Sequence, residues 1–368
     1  MAWLAWSPLM ANLALGLLGP WIARSLPPRA AVRSLPTAMV VVTVGTGVVL
    51  AALGFLLLAQ VPEVAYLGSW SAHRVGDQPP VPVAVEAAAG VCAVALFGSG
   101  VVVAVRVLGE LARAAGVCRR LTPGVDGVVV VADAVPDAYA IGGLPGTAGR
   151  IVVTTALLHT LDDDERRAVL AHEGAHLSDR HHLWTQLTRL VAAANPVLRP
   201  TARAVRYAVE RAADEAAASE VGSRRLVAVS LARAALAKAA ARRTPTDRAL
   251  VGTPVVLPAT DGQIARRAAA LLAPAPRPRR LLGAALLVLT AITLVGSSAT
   301  ADQLDDRLDR AEVPVVLGAA AEAGAHPARL HHGTDPSAVT CRLPPRVGGT
   351  SPVGTSLRCP SVMRLIQG

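Results

Sequence analysis

Lysine is almost missing, Lys238 being the only one in 368 residues. Aromatic residues reach 3% and charged residues 17%, against a usual charged share of about 25%. So few aromatics, with 27 prolines, exclude a base-stacking platform for single-stranded nucleic acid. A chain that is 52% hydrophobic is not intrinsically disordered either. The net charge of +10 comes from arginine, and the wealth of Ala, Arg and Val reads as GC-rich coding bias as much as selection for a polyanion. No direct nucleic-acid binding is expected; the apolar excess points to a lipid bilayer.

Charge is wholly absent from four stretches, 3–23, 38–60, 87–105 and 281–301. Each reaches the roughly 20 apolar residues that cross a hydrocarbon core of about 30 Å. Only a helix satisfies every backbone group of such a segment in lipid, so four transmembrane helices are expected. No Lys or Arg precedes the first stretch and no small-residue cleavage site follows it, so it reads as a retained span, not a signal peptide. The flanks carrying Arg24, Arg29 and Arg33, then Arg106, Arg113, Arg119 and Arg120, then Arg277, Arg279 and Arg280 belong on the cytoplasmic side by the positive-inside bias. The loop 61–82, with Glu63, Asp77 and Arg74, belongs outside. The expected organisation is three spans within 1–108, a cytoplasmic domain over 109–280, a fourth span at 281–301 and an extracytoplasmic tail over 302–368. This is a multi-pass protein of the plasma membrane with both termini outside. Cys341 and Cys359 share the tail, where an oxidising compartment permits a disulfide.

Within 109–280 the apolar pattern first has the period of strands, over 127–132, 138–141 and 150–154, with a Gly-rich turn from Gly142 to Gly146. It then changes to a helical period: Asp162 with Glu165 forms a capping-box start, and a helix over 163–179 follows. That helix carries His172-Glu173-Gly174-Ala175-His176, an HExxH pattern. Residues four apart share a helix face, so His172 and His176 can reach one ion while Glu173 serves as general base. At this composition the pattern arises by chance about 0.006 times. A catalytic zinc needs a third protein ligand, for which Glu210 is the candidate, with Asp214 one turn later to hold a ligand imidazole. Glu215 and Glu220 compete for the role. Asn195-Pro196 and Pro200 break the helix that begins near Leu183, so the chain can return to the motif helix. His181, His182 and His159 flank the motif helix; exposure is expected of each, with His182 and Tyr207 as possible transition-state stabilisers. The strand 150–154 could accept an extended peptide along its edge, and the expected substrate is a protein or peptide.

Ala138 to Gly143, Gly149 to Thr155, Ala168 to His176 and Glu210 to Asp214 together resemble the gluzincin core shared by HtpX-like and CAAX-prenyl-type membrane proteases. Three spans before that core and one after it resemble the BlaR/MecR-like membrane zinc metallopeptidases. The resemblance implies a zincin-type α+β domain with one Zn2+ per chain held by His172, His176 and Glu210, and Glu173 as the catalytic residue. It also implies a transcriptional repressor as the regulatory substrate. The chain departs from those receptors in its tail: 302–368 is too short for a penicillin-binding sensor domain. An S-x-x-K nucleophile is excluded as well, since Lys238 is preceded at the matching place by Ala235.

Overall fold

The computed structural model describes residues 2–77, 79–122, 124, 127–241, 259–274 and 279–312. The expected Cys341–Cys359 pairing and nearly all of the tail lie outside them. Two helices open the chain, α1 (Ser7–Ser25) after a 3-10 turn and α2 (Pro28–Leu58), joined by prolines at 27 and 28. Short helices α3 (Pro62–Gly68) and α4 (Ala72–Gly76) lead into α5 (Val83–Arg120). Strands β1 (Val128–Val131), β2 (Ala138–Ile141) and β3 (Arg150–Thr154) follow, then α6 (Thr155–Thr160), α7 (Asp163–Ser178), α8 (His181–Ala194) and α9 (Arg199–Val221). The described chain closes with α10 (Arg224–Ala241), α11 (Ala259–Leu272) and α12 (Arg280–Ala311).

Three helices, α2, α5 and α12, are long and apolar enough to cross a membrane. Much of their surface faces outward: Phe97 on α5 is 75% exposed, and Val94, Val105, Leu287 and Val288 are exposed with it. An apolar surface of that extent needs a non-aqueous neighbour. The first stretch, expected as a fourth span, is also helical but is not among these three. Asn12 is buried in α1, and the helix spends one face on protein packing. α12 runs on past the last apolar stretch through Asp302 and Asp309.

The site-bearing helices do not stand apart from the apolar ones. One core joins Leu15 of α1, Leu35, Met39 and Val42 of α2, Val191 of α8, Val205 and Val209 of α9 and Leu286 of α12. Small residues let these helices approach closely: a Cβ at Gly19 would lie 2.1 Å from the Thr201 hydroxyl. Asn195, at the break between α8 and α9, donates to the Asn12 side-chain oxygen at 2.9 Å and to the Thr43 hydroxyl at 3.2 Å. Pro200 starts α9 and does not end α8; a proline costs nothing in the first turn, where its missing N–H would have no partner.

The sheet has the order β1-β3-β2. β2 and β3, joined across the Gly-rich turn, pair antiparallel, with Ala140 opposite Ile151, whereas β1 joins β3 in parallel. β3 is therefore central and paired on both sides, so the strand expected to offer an edge has none. The outer edge beside the motif helix belongs to β2.

Candidate metal centre

The motif helix α7 starts where its capping box puts it. Asp162 accepts from the Glu165 amide at 2.9 Å, and Glu165 accepts from the Asp162 amide at 3.1 Å. The box satisfies two of the amides that a helix start leaves without partners. Arg180 then adopts a left-handed conformation (φ 52°), turning the chain sharply into α8.

On α7, His172 and His176 present their Nε2 atoms 3.2 Å apart. Glu210, from α9, brings Oε2 to 3.8 Å from His172 Nε2 and Oε1 to 3.9 Å from His176 Nε2. Ligand atoms around a tetrahedral zinc lie about 3.3 Å apart, given bonds of about 2.0 to 2.1 Å, so this spread suits a zinc ion. The outer nitrogens fix how the rings face. His172 Nδ1 lies 3.2 Å from Asp214 Oδ1, and His176 Nδ1 lies 3.2 Å from His181 Nδ1. Protons held on those Nδ1 atoms leave both Nε2 lone pairs facing one point with a carboxylate, where His172 Nε2 accepts from the Arg267 cation at 3.3 Å. Burial, with the field of His172, pushes the His176 pKa down to about 3, keeping that imidazole neutral and free to ligate.

Glu173 lies beside the cluster, where burial raises its pKa to about 7 against the pull of His172 and a backbone hydrogen bond from Ala140. A carboxylate poised near neutrality suits general-base work. Asp214 is fully buried (0% exposed). Burial opposes its charge, but hydrogen bonds from Arg267 and His172 outweigh that and hold its pKa at about 2.

Sequence reasoning missed Arg267, on α11. Its Nε and Nη2 donate to the two Asp214 oxygens at 2.9 and 2.6 Å, and Nη1 lies 2.9 Å from Glu210 Oε2. It is one arginine among many, in no motif, and only the fold brings it to the site. Sequence reasoning also placed His181 in solvent, yet it is 2% exposed, because the left-handed turn at Arg180 folds it under His176. Its far nitrogen lies 3.9 Å from Asp179, which Arg29 and Arg33 of α2 approach at 3.5 and 3.8 Å. His159 is exposed.

Other expected roles find no geometric support. Tyr207 does not line the cavity around the cluster; it faces a different one, with Arg266 over its ring at 5.5 Å. Glu215 is taken by Arg211 and Arg224 at 2.7 and 2.8 Å, and Glu220 is exposed. His182 lines the cavity, but its Nε2 meets the Gly143 carbonyl at 3.1 Å and so carries the proton, leaving neutral His182 an acceptor and not an oxyanion donor. Gly142 permits that approach: a Cβ there would lie 2.3 Å from the His182 ring.

The cavity holds about 540 Å³. The outer edge of β2 at Tyr139 and Ala140, where the Ala140 amide donates to Glu173, forms one side, Leu157, Val227 and Leu231 give an apolar wall, and Lys238, paired with Asp137 at 2.6 Å, lines it as well.

Comparison with known proteins agrees with this geometry. Residues 105–282 match the family model described as Peptidase family M48. A protein named Protease HtpX homolog, from Pyrococcus abyssi (strain GE5 / Orsay), is 38% identical over 94 residues, covering 26% of this chain. The chain spans only 30% of that relative's length. No solved structure matches. The family match, which spans the part of the chain that carries the cluster, and the relative together support a membrane-associated metallopeptidase of the zinc-dependent kind.

Proposed function

We propose that the chain is an integral membrane zinc endopeptidase built on the BlaR/MecR-like plan, with α1 as a fourth span beside α2, α5 and α12. Both termini lie outside and the metal centre faces the cytoplasm of a plasma-membrane protein. The observation that carries the reading is the meeting of His172, His176 and Glu210 within 4.8 Å of one another, with Glu173 beside them.

One zinc per chain, when bound, would supply Lewis-acid polarisation of a peptide carbonyl. The protein's own groups do the rest. The edge of β2 takes an extended peptide as an added strand, which fixes the height of the scissile bond over the cluster. Glu173, beside the cluster, takes the proton of the attacking water and returns it to the departing amine. Asp214 and His181 hold the ligand rings. The apolar wall at Leu157, Val227 and Leu231 receives an apolar side chain of the substrate.

The substrate is a cytoplasmic or membrane protein, and cleavage serves regulation, with a transcriptional repressor as the partner the family plan suggests. Membrane quality control uses the same chemistry on many substrates, and a non-proteolytic receptor would use none. New protein N-termini in cells making wild type or Glu173→Gln at equal levels separate the three. One or two Glu173-dependent termini are expected. Many termini in membrane proteins would turn the reading to quality control, and none under several envelope stresses would turn it to the receptor.

A further inference from the structure

Tyr207 lies on the wall of a second cavity, of about 690 Å³, lined by α1, α9 and α11. Four arginines line it: Arg24 from the last turn of α1, Arg203 and Arg211 from α9, and Arg266 from α11, together with Tyr207 and Gln263. Among the described residues no carboxylate lines it. Like charges around one concavity repel, and little among the described residues offsets them. Arg24 and Arg266 spend their Nε atoms on backbone carbonyls at 3.1 Å. Arg211 is 8% exposed; its Nη2 reaches a Glu215 oxygen that Arg224 shares, and its Nη1 is buried without a hydrogen-bond partner among the described residues. The basic concavity is complementary to an anion.

The surroundings say which anion. Leu13, Leu17, Pro20 and Arg24 follow one another at helical spacing along one stripe of α1. Leu17 is 70% exposed and Leu13 is exposed with it. Trp21, also exposed, stands one turn from Arg24, at the depth where tryptophans mark the edge of the hydrocarbon. An apolar stripe that ends at a basic cavity fits acyl chains above and a phosphate below.

We propose that this cavity binds the headgroup phosphate of an anionic phospholipid, and that occupancy sets α11 against α9. The consequence reaches the metal centre. Arg203, Tyr207 and Arg211 share α9 with Glu210 and Asp214, and Arg266 precedes Arg267, which holds both of those acids. The inference rests on the membrane location proposed above.

The test uses the full chain in nanodiscs of phosphatidylcholine, alone or with phosphatidylglycerol as one lipid in five, and counts retained phosphatidylglycerol by native mass spectrometry. Arg203→Gln with Arg266→Gln should weaken retention about thirty-fold, since two cations near a phosphate are lost. Arg206→Gln with Arg225→Gln removes the same charge outside the cavity and should change it less than about threefold. Equal retention in both double variants would overturn the site. Displacement of the lipid by millimolar inorganic phosphate would reassign it to a free anion and overturn the lipid. Lipid retention needs neither zinc nor proteolysis, so it stands or falls apart from the enzymatic reading. The coupling has its own readout: phosphatidylglycerol should slow zinc loss to a chelator in the wild type and leave the cavity double variant unaffected. A wild type that loses zinc equally fast in both nanodiscs would overturn the coupling.

Discussion

Asp214→Ala is the most informative single change at the metal centre, because one fully buried carboxylate serves a ligand ring and a guanidinium at once. Its Oδ1 lies 3.2 Å from His172 Nδ1, and its oxygens accept from Arg267 at 2.6 and 2.9 Å. Removing it frees the His172 ring to turn and lets its proton move to Nε2, where it blocks ligation. Loss of such a supporting carboxylate costs about 10- to 100-fold in metal affinity. It also leaves Arg267, 8% exposed, with a single carboxylate partner among the described residues, Glu210 at 2.9 Å. Breaking a buried ion pair costs about 3 to 5 kcal/mol, and the surviving contact with Glu210 places the stability loss near the lower figure, about 3 kcal/mol. Asp214→Asn keeps the shape and one acceptor, so it should fall between Ala and the wild type in both respects. Zinc affinity is read by competition with a chromogenic chelator, and stability by urea unfolding of the metal-free protein. Zinc binding by Asp214→Ala within twofold of the wild type would refute the reasoning.

His181→Ala removes the partner of His176 Nδ1 and should weaken zinc binding about tenfold in the same competition; an unchanged affinity would make the 3.2 Å approach incidental. Lys238→Ala breaks a half-exposed pair with Asp137, so stability should move by less than about 1 kcal/mol. The same variant should change which peptides are cut, since Lys238 lines the cavity, and an identical peptide-library profile would remove it from the substrate path. In the metal-free protein Glu173 holds its proton up to about pH 7, whereas an unfolded Glu releases it near 4.5. The folded state binds more protons across that window, so stability should fall as pH rises from about 4.5 to about 7 and level off above. Glu173→Gln should abolish that slope, and an identical pH dependence would place its source elsewhere.

What the sequence reveals and what it hides follow a physical divide. Local chemistry is legible. The Asp162–Glu165 box places the start of α7, the four-residue spacing puts both histidines on one face, and the Glu210–Asp214 spacing brings both acids to that face, Glu210 near the two Nε2 atoms and Asp214 beside His172 Nδ1. What stays hidden depends on close approach between distant segments. Arg267 reaches the site only because α11 packs against α9 and α10. His181 is buried by one left-handed residue, Arg180, whose conformation no local pattern announces. The centrality of β3 depends on β1 joining it in parallel, a long-range choice, so the outer edge passes to β2. The apolar stretch 3–23 is legible as a helix, but its packing through Gly16 and Gly19 onto the 3-10 turn before α9 and onto α9 itself is not.

Zinc stoichiometry of the purified protein tests the central claim most directly, measured by plasma emission on wild type, Glu210→Ala and Glu173→Gln under one protocol. The convergence of His172, His176 and Glu210 predicts one zinc per chain in the wild type and in Glu173→Gln, with proteolysis lost only through the base in the latter. Glu210→Ala should lose the metal. Equal zinc in Glu210→Ala and wild type, or loss of zinc in Glu173→Gln, would contradict the assignment of ligand and base.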